Sequence, residues 1–288
     1  MSNLAKQILN VFKLRIGVVI ALTALTGYAM APGAHAPAWK AALIGVAVLL
    51  SAAAAGAFNQ YVERDIDIKM ERTRNRPFLT GALRHGPQWL WLIAVMVGGS
   101  TLVTAWALNW ISALYVFLGA FFYAVVYTVW LKRRTWLNIV IGGLAGSFAV
   151  MAGAAAVNPQ PEPLTLSLAF VLFLWTPPHF WSLAIARVDD YQAARVPMLP
   201  VVIGVPAASR VVLANTIALV AASLLPMCFG AGPAYLAGAL TGGAYFIDKS
   251  VRLARRPERK TAMVNFHASL LQLTVLIIGA IADAVWNA

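Results

Sequence analysis

The chain has 288 residues, of which 61% are hydrophobic and 11% are charged, and its mean hydropathy is +0.76. Soluble domains carry about 25% charged residues, so this composition excludes an ordinary soluble domain. The formal net charge of +12 is of the kind that nucleic-acid-binding proteins show. Here, however, the charges fall in short gaps between long apolar runs, and we expect no nucleic-acid partner. We predict an all-α integral membrane protein in the lipid bilayer, with a single membrane-embedded domain over residues 1–288.

Nine apolar runs have the length of about 17–25 residues that lets a helix cross a bilayer. They cover approximately residues 16–31, 39–60, 89–108, 110–130, 136–157, 164–186, 211–229, 232–248 and 265–286. The gaps between them are short, which leaves no room for a soluble domain. The lone cysteine, Cys228, lies in the seventh run, and we expect a buried, inert thiol there.

The basic residues follow a strict pattern along the chain. Apart from Lys40, every one of the 22 Lys and Arg residues lies at the N-terminus or in an alternate gap between runs. Cytoplasmic loops of membrane proteins carry such an excess of Lys and Arg. We therefore predict a multi-pass protein of a bacterial-type inner (plasma) membrane, with the N-terminus cytoplasmic and the C-terminus on the opposite side.

A stretch crowded with acids and bases, residues 59–77, directly follows the second apolar run. If the helix continues into it, Asn59, Glu63 and Asp67 recur every four residues and share one face, at roughly 100° per residue, while Asp65 lies on another. Magnesium is usually shared between one or two carboxylates and substrate phosphates. Arginine forks bind further phosphate oxygens. The pattern predicts a site for a Mg²⁺-bound diphosphate. A cytoplasmic loop with its usual positive bias is the simpler alternative, but it needs no acids.

A second acidic helix end follows the sixth run. It contains Arg187, Asp189, Asp190 and Tyr191, and a Pro-Met-Leu segment follows at Pro197. Two acidic helix ends on the same side of the membrane could share one metal diphosphate between them. The alternative is an ordinary helix end.

These motifs resemble a known family. The first stretch resembles the Asn-x-x-x-Asp-x-x-x-Asp signature of the membrane-embedded UbiA prenyltransferase superfamily, with Glu63 in place of the first Asp. Other motifs resemble its protoheme IX farnesyltransferase (heme O synthase) branch. They are Asp65-Ile66-Asp67, Asn75-Arg76-Pro77, residues 130–135 with residues 138–143, residues 177–181, and Asp190-Tyr191 followed by residues 197–200.

The resemblance implies a UbiA-like helical bundle around a central cavity. It implies a Mg²⁺-dependent enzyme that transfers the farnesyl group of farnesyl diphosphate to a vinyl group of heme B, with water addition, giving heme O and diphosphate. A downstream heme A synthase or terminal oxidase assembly is the implied partner for the product.

It also implies the roles of individual residues. The implied catalytic residues are Asn59, Glu63, Asp67, Asp189 and Asp190; all but Asp189 are metal ligands. The residues expected to bind the diphosphate or heme are Arg64, Lys69, Arg72, Arg76, Lys132, Arg133, His179, Arg187 and Tyr191. Aromatic faces that could steady an allylic cation are those of Tyr115, Phe121, Phe122, Tyr123, Tyr127 and Trp181. A structural role is an equal alternative for His179, and ordinary core or lipid contact is one for each aromatic residue.

Two other functions stay open from the sequence. A related enzyme could prenylate a quinone precursor or another aromatic acceptor. A transporter is a hypothesis of another class, but it predicts ionisable residues near the middle of the membrane. The acids of this chain cluster at one face, which disfavours a transporter.

Overall fold

The computed structural model of the chain describes residues 3–33 and 37–286, which contain helices and no strand. Residues 1, 2, 34–36, 287 and 288, which the single-domain prediction includes, lie outside the described residues. In chain order the helices are α1 (Asn3–Val11), α2 (Leu14–Met30), α3 (Ala38–Val62), α4 (Arg64–Asp67), α5 (Gln88–Ala107), α6 (Trp110–Phe121), α7 (Asn138–Gly142), α8 (Leu144–Ala155), α9 (Pro163–Ala186), α10 (Val188–Ala193), α11 (Leu199–Ile203), α12 (Val205–Ala222), α13 (Pro233–Arg255) and α14 (Arg259–Trp286). A π-helix (Phe122–Leu131) continues α6, and a 3₁₀ helix (Leu225–Phe229) follows α12.

The predicted all-α membrane architecture is confirmed, and the count of nine spans is approximate. Among the described residues, seven helical segments are long and apolar enough to cross a membrane, or eight if the bent pair α1–α2 counts as one span. The predicted eighth span exists as helix α13, which does not meet the same test. It runs past the predicted end at residue 248, and its last turns carry Lys249, Arg252 and Arg255.

The helices differ from the predicted apolar runs in several places. A bend of 50° joins α1 to α2 at Lys13, whose backbone is left-handed at φ 48° and ψ 42°. The fifth run divides at Gly143 into α7 and α8. The seventh run starts earlier than predicted, at Val205, and ends in the 3₁₀ helix. Cys228 is exposed there, so the prediction of a buried thiol is wrong. Because lipid is as apolar as a protein core, an apolar run in a membrane span does not predict which of its residues are buried.

Glycines let two pairs of helices approach closely. A Cβ atom on Gly153 of α8 would collide with the carbonyl of Ala24 in α2. A Cβ atom on Gly238 of α13 would lie 2.8 Å from the carbonyl oxygen of Val275 in α14. Small residues at such crossings are how membrane helices gain packing without a hydrophobic driving force.

The two acidic motifs are joined by one apolar cluster. Ile66 and Met70 of the first motif pack in this cluster together with Ile185 at the end of α9, and with Tyr191 and Met198 beyond it. All five side chains are at most 5% exposed. Because burial of this apolar surface stabilises the folded chain, it holds the end of α3 next to the end of α9.

Candidate active site

The three groups of the first motif lie on one face, as predicted. Helix α3 ends at Val62, and Glu63 forms the junction to α4 with φ −88° and ψ 19°. The helical relation nevertheless persists, because Glu63 N donates to Asn59 O at 3.1 Å and Asp67 N donates to Glu63 O at 2.8 Å. Asn59, Glu63 and Asp67 are only 3%, 1% and 2% exposed. The chain thus buries two carboxylates and an amide on one stripe.

Three cationic side chains from distant parts of the chain contact this stripe. Lys132 Nζ lies 2.5 Å from Glu63 Oε2, and Arg76 forms an ion pair with Asp67. Lys13 Nζ donates to Asn59 Oδ1 at 2.6 Å. Burial of a charge is costly unless the charge is paired and hydrogen-bonded. Three basic side chains face two carboxylates here, an arrangement that suits an anionic ligand.

Asp67 and Asp65 differ in burial and in the direction of their pKa shifts, although they are two residues apart. Burial raises the pKa of Asp67, and the Arg76 guanidinium opposes that rise. Asp65 points to solvent and accepts a bidentate pair of hydrogen bonds from Arg133, both at 2.7 Å. These bonds hold the pKa of Asp65 below its usual value. The structure thus places Asp65 on a different face from the stripe, as predicted.

The π-helix decides which side chains of the fourth span face the stripe. At roughly 100° per residue, an α-helix would turn Tyr123 and Lys132 to opposite sides. In a π-helix each N–H bonds to the carbonyl five residues earlier, and Lys132 N bonds Tyr127 O at 2.9 Å in this way. Tyr123, Tyr127, Thr128 and Lys132 therefore all reach the same region. The sequence predicted a plain membrane helix, because apolar periodicity does not distinguish the two windings.

Two of the predicted aromatic residues lie beside the cations. The rings of Tyr123 and Tyr127 stack with centroids 5.7 Å apart. Lys13 Nζ is 5.7 Å from the Tyr123 centroid, and Lys132 Nζ is 5.6 Å from that of Tyr127. Their faces already accommodate positive charge, as the cation–π interaction requires.

The other predicted aromatic residues have different surroundings. Tyr115 and Phe122 pack against Phe148. Phe121 is 38% exposed, and Trp181 is buried. These contacts fit ordinary packing.

The second motif reaches the first through Glu71. Asp190 Oδ1 accepts a hydrogen bond from Glu71 N at 3.0 Å, while its Oδ2 atom is buried without a hydrogen-bond partner. Arg187 Nη1 lies 3.9 Å from Glu71 Oε2, and Asp189 is exposed. The second motif thus contains one buried carboxylate oxygen, Asp190 Oδ2, that has no hydrogen-bond partner.

A cleft of about 210 Å³ opens beside the second motif. Its lining includes Glu71, Asp189 and Asp190, together with Glu258 and Arg259 from the connection between α13 and α14. Asn59, Glu63 and Asp67 of the stripe are not among the residues that line this cleft. The contact of Glu258 and Arg259 with the second motif was not predicted, because these residues are distant in the sequence and their basic gap was interpreted mainly as a topology signal.

The donor set of the stripe fits a magnesium ion that also binds a substrate. Among the described residues, no group of three or more His, Cys, Asp or Glu side chains could hold a metal by itself. Glu63 Oε1 is buried without a hydrogen-bond partner, which leaves one carboxylate oxygen free for a ligand. Two carboxylates and the Asn59 amide, completed by phosphate oxygens, form the kind of oxygen set that Mg²⁺ takes.

His179 is packed on both ring faces. It stacks between Trp175 and Phe266, with centroid distances of 4.3 and 4.5 Å, and its Nδ1 lies 2.7 Å from Ser269 Oγ. This environment fits a structural histidine between α9 and α14, and its role toward heme stays a prediction. The basic residues of the first motif that point to solvent are Arg64, Lys69, Arg72 and Arg74.

Two residues of the site escaped the sequence analysis. Lys13 counted only as part of the basic N-terminus. Thr128 lies within an apolar run and gave no signal. The structure places both against Asn59, with Thr128 Oγ1 3.1 Å from Asn59 Nδ2.

Comparison with known proteins places the chain in a family. The UbiA prenyltransferase family model matches residues 20–273. Protoheme IX farnesyltransferase 2 of Paramagnetospirillum magneticum is 60% identical over 279 residues, which are 96% of each chain. Protoheme IX farnesyltransferase 1 of the same organism is 48% identical over 98% of this chain and 99% of its own.

Solved structures share the fold. A digeranylgeranylglyceryl phosphate synthase has a TM-score of 0.79 at 16% identity, covering 99% of this chain and 100% of its own. A UbiA homolog from Archaeoglobus fulgidus, bound to DMAPP and Mg²⁺, has a TM-score of 0.72 at 14% identity, covering 96% and 99%. At such identities the likeness concerns the fold alone.

Proposed function

The chain belongs to the UbiA prenyltransferase family, and we propose that it transfers the farnesyl group of farnesyl diphosphate to a vinyl group of heme B. Water adds in the same reaction, and heme O and diphosphate are the products. The relatives at 60% and 48% identity are named for protoheme IX farnesyl transfer. The observation that carries the proposal is the buried stripe of Asn59, Glu63 and Asp67 facing three basic side chains, with Glu63 Oε1 left unpartnered.

The stripe would hold Mg²⁺, with Asp190 of the second motif as a further ligand. Bound Mg²⁺ neutralises the charge that builds on the departing diphosphate. Lys132 and Arg76 each contact a stripe carboxylate in this structure. When substrate binds, they turn to the phosphate oxygens and supply further charge neutralisation.

The bond changes balance as follows. The bond between C1 of farnesyl and the diphosphate oxygen breaks, and its electron pair leaves with diphosphate. The terminal vinyl carbon of heme B bonds to C1, water adds to the adjacent carbon, and that water loses a proton. The faces of Tyr123 and Tyr127 lie where they can steady the allylic cation. The burial of the stripe keeps bulk water from the cation before the acceptor reaches it.

The remaining predicted residues bind the ends of the substrates. Exposed or half-exposed cations flank both motifs on the same side of the bundle, where diphosphate and the heme propionates would meet them. They are Arg64, Lys69, Arg72, Arg133 and Arg187. We propose the same role for Tyr191, which is 5% exposed in the apolar cluster that joins the motifs.

The protein is a multi-pass membrane protein, and we place its N-terminus in the cytoplasm and its site at the cytoplasmic face, within one domain of an inner (plasma) membrane. The alternation of basic gaps supports this orientation. In a Cys228→Ala background, Gln160→Cys should react with an impermeant maleimide from outside intact cells, and Arg74→Cys should react only after the cells are broken. The reverse labelling would invert the topology.

The activity is tested with membranes that contain the protein. Farnesyl diphosphate, heme B and Mg²⁺ are added, and the pigments are separated and their masses measured. A heme heavier by farnesyl plus water is expected, and an Asp67→Ala membrane sample serves as the control. Diphosphate release without a new heme, but with a prenylated aromatic acceptor, would instead assign the chain to another branch of the family.

A further inference from the structure

Asn59 is held at both ends of its amide. Its Oδ1 accepts from Lys13 Nζ at 2.6 Å, and its Nδ2 donates to Thr128 Oγ1 at 3.1 Å. Both Asn59 and Thr128 are buried, at 3% and 1% exposure. The side-chain nitrogen of Lys13 therefore faces the oxygen end of the amide.

The orientation at the other end follows from the π-helix. The Thr128 hydroxyl donates to Tyr123 O at 2.9 Å, a carbonyl five residues earlier in the chain. A hydroxyl has one hydrogen, and the Tyr123 carbonyl can only accept. Because that hydrogen is already engaged, Thr128 Oγ1 can act toward Asn59 only as an acceptor. The NH₂ end of the amide must therefore face Thr128, and Oδ1 must face the opposite side.

We propose that Thr128 is a positioning residue that fixes the Asn59 amide with Oδ1 directed toward the metal. The inference rests on the proposed function, in which Asn59 is a metal ligand. Lys13 favours the same orientation, but its bond to Oδ1 has to break when the metal takes that oxygen. Thr128 keeps its bond to Nδ2 throughout, so the ligand is oriented before the metal arrives.

The test is metal binding. Mn²⁺ binding to purified protein is followed by electron paramagnetic resonance, in the presence of an unreactive prenyl thiodiphosphate. Thr128→Val keeps the shape of the side chain and removes the acceptor, and we expect the Mn²⁺ Kd to rise by roughly 10–100-fold, as for other partners of metal ligands. Thr128→Ser keeps the hydroxyl and should restore the affinity to within about threefold.

A matched control removes a buried hydroxyl elsewhere. Thr104 is also fully buried, and its hydroxyl bonds Ser100 O within its own helix. Thr104→Val should leave the Mn²⁺ Kd unchanged. With Thr128→Val, the Mg²⁺ concentration for half-maximal turnover should rise while the rate at saturating Mg²⁺ changes little, which a general loss of folding would not produce.

The outcomes separate the two proposals. Wild-type Mn²⁺ affinity in a folded Thr128→Val protein overturns the role of Thr128 and leaves the proposed function standing. Absence of Mn²⁺ binding in the wild-type protein overturns both. If Thr128→Val does not fold, Thr128→Cys replaces it. A thiol is a weak acceptor, so its Mn²⁺ Kd should still rise at least fivefold, and an unchanged Kd counts against the proposal.

Discussion

The two acidic motifs look alike in the sequence and differ in the folded protein. Each follows a membrane helix and combines acids with arginine ahead of a proline. The first motif buries Glu63 and Asp67 and pairs each with a cation. The second leaves Asp189 exposed, and the bond of Asp190 to the first motif comes from a backbone N–H.

The difference follows from how each helix ends. Glu63 continues the hydrogen bonding of α3 into α4, so the acids stay at helical spacing and turn into the bundle. After α9 the backbone breaks at Arg187, with φ −130°, where Arg187 N bonds Ala184 O only three residues back, and the short helix α10 starts at Val188. Acids that continue the helical spacing of a long buried helix are therefore buried in the bundle. Acids that follow a break in the helix are only partly buried.

The largest expected effect is on the first motif. Glu63→Ala and Asp67→Ala should each reduce turnover to below about a thousandth of the wild-type rate, since a preorganised charged group of the site is lost. Heme O formation in membranes measures this, with membrane insertion checked by fractionation. Near-normal turnover in both variants would remove the stripe from the active site.

Glu63→Ala also leaves Lys132 buried without its partner, which should destabilise the protein by about 3–5 kcal/mol. Glu63→Gln combined with Lys132→Met should recover most of this stability in a detergent melting experiment, yet stay inactive. Recovery of both stability and turnover would show that the pair is only structural.

A smaller effect is expected at the second motif, and it should differ between neighbours. Asp190→Asn should raise the Mg²⁺ requirement by roughly 10–100-fold, because a half-buried oxygen close to the first motif is replaced. Asp189→Asn should change it by less than about fivefold, since Asp189 is exposed. Titration of turnover with Mg²⁺ gives both values. A larger effect at Asp189 would reverse the assignment within this motif.

The smallest effect is expected at Asp65. Its side chain and that of Arg133 are 61% and 43% exposed, and exposed pairs contribute about 0–1 kcal/mol. Asp65→Asn should therefore shift the melting temperature in detergent only slightly, and added salt should remove the difference. The outcome contrary to this expectation is a shift as large as that of Glu63→Ala, which would mean that burial does not separate the two acids.

Local pattern was enough to predict the stripe, because Asn59, Glu63 and Asp67 are related by one helix. The partners of these groups were not predictable, since Lys132 is 69 residues from Glu63 and Lys13 is 46 residues from Asn59. Lys132 was expected to bind substrate, but nothing in the sequence paired it with Glu63. The π-helix was not predicted either, because its apolar residues are equally compatible with an α-helix in lipid.

The sequence by itself determined the membrane class, the approximate helices, the alternation of basic gaps and the stripe of three groups. All of these depend on composition or on residues within a few helical turns. The tertiary structure decided which cation meets which acid, that Tyr123, Thr128 and Lys132 share a face, and that the second motif stays near the surface. These features depend on helix winding and on contacts between segments that are distant in the sequence. A local sequence pattern does not predict such contacts.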